Sequence, residues 1–312
     1  MMRCLGPGSI KARSYPRDFC HGVQLLSCLS PRPASGSNCI QQMTTATKLS
    51  PRFEIRRLDP KQPGHVEWTA AIITHSNVFL SPLWPFLYPE NKTSRAYTTF
   101  KGCKDMVTAS LSTGLSLGVF DTQYKFKRPE SAATGGRLYW DESNLEATAD
   151  ELLEQMDFPL VSIAQAYDGA MPIDRALYAP LIAALPAFAT MYGALEALDK
   201  RDPDSWKPKA AGEVIMRSGT ATRGDYEGFK LAKGMAHYMM RDAAEKGFRG
   251  IQIETAHPAV DKIWVNPPAP FKGERIGAFH TKTYELEEDG KTAKPFEAAD
   301  LRCTKVYVTL KA

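Results

Sequence analysis

The chain has 312 residues, 43% of them hydrophobic and 24% charged, a composition that excludes a fibrous or low-complexity polymer and gives enough length for one large core or two small ones. Its net charge of +4 comes from residues 1 to 42, which hold Arg3, Lys11, Arg13, Arg17 and Arg32 against one acid, Asp18; the rest is formally neutral, which argues against a nucleic-acid partner. No apolar run is long enough to cross a bilayer, so no membrane partner is expected.

In chain order, residues 1 to 50 form a leader. Up to residue 42 it is rich in Ser, Pro, Gly and Arg and carries Cys4, Cys20, Cys28 and Cys39. It reads as a dispensable, disordered extension before Met43, because its prolines and glycines break an amphipathic helix; the alternative is a mitochondrial transit segment. The first reading implies a cytoplasmic location, the second a mitochondrial one. Cys103 and Cys303 lie far apart and show no zinc spacing, so neither a disulfide framework nor a metal is expected.

Residues 51 to 312 read as a single domain. Phe53 to Leu58 alternates as a strand, and a helix follows with Trp68, Ile72 and Ile73 on one face. A Pro- and aromatic-rich loop spans Phe79 to Pro89, a second helix Ser94 to Ser112, and a strand Ser116 to Phe126. Arg137 to Trp140 is a short strand after the Gly135-Gly136 turn. From about 143 to 208 the chain is rich in Ala and Leu, cut by prolines, and reads as a helical insert. Strand character returns over Glu213 to Thr222. A helix covers Phe229 to Lys246, closed by Gly247. Arg249 to Thr255 is a strand and Pro258 to Trp264 a short helix. Arg275 to Leu286 and Cys303 to Lys311 are late strands. The order gives an α/β fold: a mixed, mostly antiparallel twisted sheet flanked by helices.

Chemistry concentrates between Gly212 and Trp264. A strand runs into a turn with Arg223, Gly224, Gly228, Lys230 and Lys233, then into a helix. Main-chain N–H groups at such a helix start, with the helix dipole, suit a phosphate. The amides of Glu227 to Lys230 are the expected donors, with Lys230, Lys233 and Arg223 as countercharge. The strand Met216, Arg217, Ser218, Gly219, Thr220 offers an edge on which an amide-rich arm can pair as an added strand.

This segment resembles the acyl-CoA-binding core of the GNAT N-acetyltransferase superfamily, in which a splayed strand is followed by R/Q-x-x-G-x-G/A, a helix, a strand and N-x-x-A-x-x-x-Y. Gly228 stands for the motif glycine, and His257-Pro258-Ala259-Val260 with Trp264 keeps the second spacing. Asp225 replaces the Arg or Gln, Lys230 the Gly or Ala, His257 the Asn, and Trp264 the tyrosine often assigned as general acid toward the leaving thiolate. The resemblance implies a GNAT-like domain that transfers an acetyl group from acetyl-CoA to an amine by direct attack, without a metal, as monomer or homodimer. The acceptor is a small-molecule or peptide amine. Implied cofactor contacts are residues 216 to 220, Arg223, Gly224, Gly228, Phe229, Lys230, Lys233 and Trp264.

For the proton chemistry, Glu213 at the start of the splayed strand is the preferred base, with Glu254 and His257 as further candidates and Tyr226 or Tyr238 as acids. Asp157, Asp168 and Asp174 are solvated loop acids or steer a cationic amine. Two other readings stand beside this one. The first is a non-catalytic acyl-CoA-binding module. The second is a serine hydrolase, since Gly114-Leu115-Ser116-Leu117-Gly118 matches G-x-S-x-G, although strand rather than helix follows the serine.

Overall fold

A computed structural model describes residues 49–288 and 290–311. The expectations for residues 1 to 42 lie outside the described residues. Seven strands form one twisted sheet: β1 (Phe53–Arg57), β2 (Leu117–Asp121), β3 (Leu160–Asp168), β4 (Val214–Thr222), β5 (Gly250–Thr255), β6 (Lys272–His280) and β7 (Arg302–Thr309). Their spatial order is β1-β2-β3-β4-β5-β7-β6. Every neighbouring pair is antiparallel except β4 with β5. A parallel pair needs a crossover, and α3 (Leu231–Glu245) provides it. The mixed, mostly antiparallel sheet is the one expected.

Helices cover both faces. On one lie α1 (His65–His75), α2 (Lys92–Ser112) and two insert helices, Ala179–Ala184 and Ala187–Leu198. They share a core with Ile163, Ala221 and Cys303. On the other lie α3 and α4 (Pro258–Val265), packed on Val161, Ile215, Ile251 and Val306. Leu231, Met235 and Met239 recur at helical spacing and turn one stripe of α3 to the sheet. Gly247, at φ 95°, closes that helix in the left-handed region. At the start of α1, Gly64 has φ 78°, and a Cβ there would strike the Trp68 indole at 2.3 Å.

The region 143 to 208 differs from expectation. Within it lies β3, a nine-residue central strand paired on both edges. Eight of its residues are buried, so the polar–apolar alternation that marks a strand is missing. The helical parts of the insert are Ala149–Glu154, ahead of that strand, and the elements from Arg175 to Trp206 after it. A π-helical turn, Ser76–Leu80, runs into the Phe79 to Pro89 loop, which holds a short helix, Trp84–Leu87. The strand expected over Ser116 to Phe126 ends at Asp121, and β6 starts and ends earlier than Arg275 to Leu286. Among the described residues no helix is long and apolar enough to cross a membrane. Cys103 and Cys303 are buried and unbridged.

Candidate active site

The sheet is not continuous at its centre. β4 and β5 pair only from Val214↔Gly250 to Arg217↔Ile253. Beyond that, β4 stays with β3 as far as Thr222↔Ser162, while β5 stays with β7 as far as Thr255↔Thr304. A wedge therefore opens between them. A β-bulge marks its apex: Gln165 faces Gly219 and Ala166 faces Arg217, leaving Ser218 as the extra residue. The bulge resets the alternation of β4. Arg217 consequently turns toward α3 and Trp264, whereas Gly219 turns toward Ile73 of α1.

A cavity of about 160 Å³ fills the wedge and runs between α1, α2 and the insert. Its wall includes Trp84, Met106, Leu185, Phe188 and Tyr192, together with Arg217 to Thr220 and Glu254 to His257. From Ser218 onward the β5-facing edge of β4 has no strand partner, so its main-chain donors and acceptors face the opening. Buried side-chain atoms around the apex also lack partners: Ser218 Oγ, both amide atoms of Gln165, Arg217 Nε and, on α2, Thr99 Oγ1. Buried polar groups are ordinarily satisfied, so this cluster is open to a polar partner.

Glu254 is the one acid set into the cavity from the sheet. Ile251 and Ile253 point to the α3 core, which turns Gln252 and Glu254 to the insert side. Gln252 Nε2 donates to Glu254 Oε1 at 3.0 Å, and Lys305 Nζ lies 4.0 Å from the same oxygen. Burial raises the Glu254 carboxyl to about 7, against the opposing pull of Lys305 and the Gln252 hydrogen bond. Its charge is felt by Tyr167, Tyr178 and Tyr192, whose hydroxyls are raised chiefly by burial, that of Tyr178 to about 12.

Behind Glu254 an ionic cluster ties the insert to the sheet. Asp199 accepts from Arg201 at 2.9 and 2.7 Å and lies 2.9 Å from Lys305 Nζ. Arg201 also donates to Gln252 Oε1 at 3.0 Å and stacks on Trp206. Gln252, Asp199, Arg201 and Lys305 were not singled out in the sequence. The available signal was Gln252 and Glu254 alternating with isoleucines inside a central strand.

The residues expected at the site divide. Ser218, Gly219, Thr220, Arg217, Glu254 and His257 line the cavity. Met216 lies in the paired part of β4, below the wedge. Glu213 precedes β4 at the other end, about 13 Å of strand short of the opening; its carboxylate accepts from Lys209 N at 2.9 Å and pairs with Arg249 at 3.5 Å. That placement does not support Glu213 as the base. Tyr226 is buried, and its hydroxyl donates to Asp121 at 2.7 Å, an acid also gripped by Arg52; the Tyr226 proton is held in that structural network. His257 caps α4, Nδ1 accepting from Ala259 N, and burial lowers its pKa.

The turn before α3 also differs in register. Arg223 is buried, bidentate to Asp225 at 3.1 and 2.7 Å, and donates to Phe158 O. Its charge is taken up internally and does not face a phosphate site. Gly224 packs near Leu80 in the same turn. Gly228 is left-handed and open to solvent, and Phe229 is exposed beside Phe53. Lys230, also left-handed at φ 61°, is the N-cap, so the free first-turn amides are those of Leu231, Ala232 and Lys233 rather than Glu227 to Lys230. The Lys230 and Lys233 side chains are exposed there. Trp264 is the buried residue of α4, its ring 5.6 Å from the Arg217 guanidinium.

Ser116 is wholly buried, its Oγ bonded to Ser110 and to the main chain of Ala166. No elbow exposes it, which removes the structural basis for a hydrolase. Ser116→Ala is expected to leave any acyl-transfer activity within twofold of wild type while costing about 1 kcal/mol of stability. Steady-state rates and urea unfolding check both.

No protein-family model matches this chain, and no curated protein does. Solved structures match in fold. The C-terminal condensation domain of Ebony, determined in complex with beta-alanyl-dopamine, is 15% identical, with 82% of this chain and 97% of that one covered at a TM-score of 0.54. Arylalkylamine N-acetyltransferase 2 from Aedes aegypti is 10% identical, with 83% and 99% covered at a TM-score of 0.48. The polyamine N-acetyltransferase of Drosophila melanogaster is 11% identical, with 82% and 98% covered at 0.47. The chain shares its fold, a mixed and mostly antiparallel sheet flanked by helices, with the Ebony C-terminal condensation domain. At these identities the likeness concerns architecture alone.

Proposed function

We propose that the protein is an acyl-CoA-dependent N-acyltransferase that moves an acyl group, most simply acetyl, to a small amine by direct attack. The observation that carries this reading is the wedge: an unpaired strand edge and orphaned polar groups on one side, and a buried carboxylate raised to about 7 on the other. The edge of Ser218 to Thr220 suits the amides of a pantetheine arm. The first-turn amides of α3, with Lys230 and Lys233, suit its phosphates. A thioester supplies the activated carbonyl.

The protein's own groups then act in sequence. Main-chain N–H at the bulge polarises the carbonyl oxygen, as an oxyanion donor does. Glu254, ionised above about pH 7, accepts the proton that the amine nitrogen sheds as it attacks. The apolar part of the wall, with Trp84, Met106, Leu185, Phe188 and Tyr192, holds the rest of the amine. A closed cavity of about 150 Å³ holds benzene, so a cavity of about 160 Å³ has room for a compact amine with an apolar body.

Calorimetry with acetyl-CoA, followed by turnover across a panel of primary amines, tests the reading. Binding with turnover supports it, binding without turnover supports the non-catalytic module, and absence of binding overturns both. Ala232→Trp, in the first turn of α3 and lining the narrow space beside α4, is expected to weaken donor binding at least tenfold while costing about 1–3 kcal/mol of stability.

A further inference from the structure

Arg217 is a buried cation without a counter-ion. Its residue is 4% exposed, and among the described residues no carboxylate pairs with it. Its guanidinium donates only to neutral groups: Gln165 O at 2.7 Å, Gly219 O at 3.1 Å and Thr220 Oγ1 at 2.5 Å, with Met239 Sδ at 3.6 Å. Nε has no partner. Removing such a charge from water is costly unless an anion offsets it. Burial lowers its pKa to about 9, which leaves it protonated at neutral pH.

Its position says which anion. Arg217 is the last residue of β4 paired with β5 before the bulge. It lines both the large cavity and the narrow space between α3 and α4. A thioester whose carbonyl faces the amine in the first space, and whose arm pairs along the edge of Ser218 to Thr220, carries its sulfur past residue 217 at the apex of the wedge, where Nε is unpartnered. Trp264, which stands where the resemblance places a tyrosine hydroxyl, has no proton to give a sulfur through its ring face, and Arg217 lies over that ring.

We infer that Arg217 stabilises the departing thiolate, doing electrostatically what a general acid does elsewhere by proton transfer. This assignment rests on the acyltransferase reading. As the C–N bond forms and the C–S bond breaks, the bonding pair moves to sulfur. The amine proton goes to Glu254, and the thiolate leaves as an anion beside the guanidinium, to be protonated by solvent after release.

The test uses Arg217→Met and Arg217→Lys in the full chain, with two readouts. The first is the thiol pKa of bound coenzyme A, followed by the ultraviolet absorbance of the thiolate. A free thiol titrates near about 8.5; the wild type is expected to lower the bound value by at least one unit, Arg217→Lys to keep part of the shift, and Arg217→Met to abolish it. The second is the leaving-group dependence of kcat. Arg217→Met is expected to lose on the order of 10²-fold with acetyl-CoA and far less with an acetyl thioester of an acidic aryl thiol, whose thiolate needs no help. A bound thiol with an unshifted pKa in the wild type, or an equal loss with both donors, would overturn the role of Arg217 alone. Failure of the wild type to bind coenzyme A would overturn the acyltransferase reading, and this role with it.

Discussion

Replacing Glu254 with glutamine is expected to lower kcat/KM for amine acylation by 10²- to 10⁴-fold, on the order seen when a positioned general base is removed. In the wild type, activity should rise with pH through about 7 as the carboxyl ionises, and this acidic limb should vanish in Glu254→Gln. A structural role for Glu254 would leave the limb in place. Stability should move in the opposite sense. A carboxyl raised from 4.5 to about 7 holds its proton more tightly when folded, so wild-type stability falls as pH rises from about 4.5 to about 7. The ionised, buried group then costs on the order of 3 kcal/mol at pH 8. Glutamine removes that cost while keeping an oxygen to accept from Gln252. The variant should therefore melt higher than wild type at pH 8 and equally at pH 4. Parallel thermal scans and pH–rate profiles check both, and a variant less stable at pH 8 would contradict the assignment.

The second large effect is expected at Asp199. Its side chain is 5% exposed and holds both Lys305, 4% exposed, and Arg201. Asp199→Ala leaves the buried Lys305 and the partly buried Arg201 without their shared anion and should cost about 3 kcal/mol in urea unfolding. Burial alone would raise the Asp199 carboxyl, but hydrogen bonds from Arg201 and Lys305 hold it well below the usual range. Its contribution is thus present above the unfolded carboxyl pKa and lost only in strong acid, so the deficit of the variant should shrink as pH falls below about 4. The same substitution should reach the chemistry. Asp199 raises the Glu254 pKa and Lys305 lowers it; without Asp199 the acidic limb should shift to lower pH. KM for the amine should rise, because the insert helix Ala187–Leu198 carries Phe188, Met191 and Tyr192 into the cavity and is anchored through this cluster.

What the sequence revealed follows from which residues obey local rules. α3 and its closing Gly247 were legible because one stripe is apolar and the cap needs a left-handed residue. β3 was not, because helices on both faces bury Leu160–Asp168 and erase its alternation. Arg223 and Asp225 look like a broken phosphate motif in one dimension. In three they are partners, and pairing two residues apart gives no periodic signal. Glu213 drew attention as the acid at the head of β4, but strand direction carries it away from the wedge. Glu254 was among the candidates; what singled it out was the company of Gln252, Lys305 and three tyrosines, assembled from β3, β5, β7 and the insert.

The four paired positions joining β4 to β5 have a consequence for assembly. Residues 53–222 supply one continuous half of the sheet and residues 250–309 the other, each contiguous along the chain. The candidate site is the seam between two segments that meet late and over a short length, bridged in sequence by α3 alone. Whatever molecule threads the wedge touches both halves, and so acts as a keystone that joins the early-made part of the chain to the late-made part.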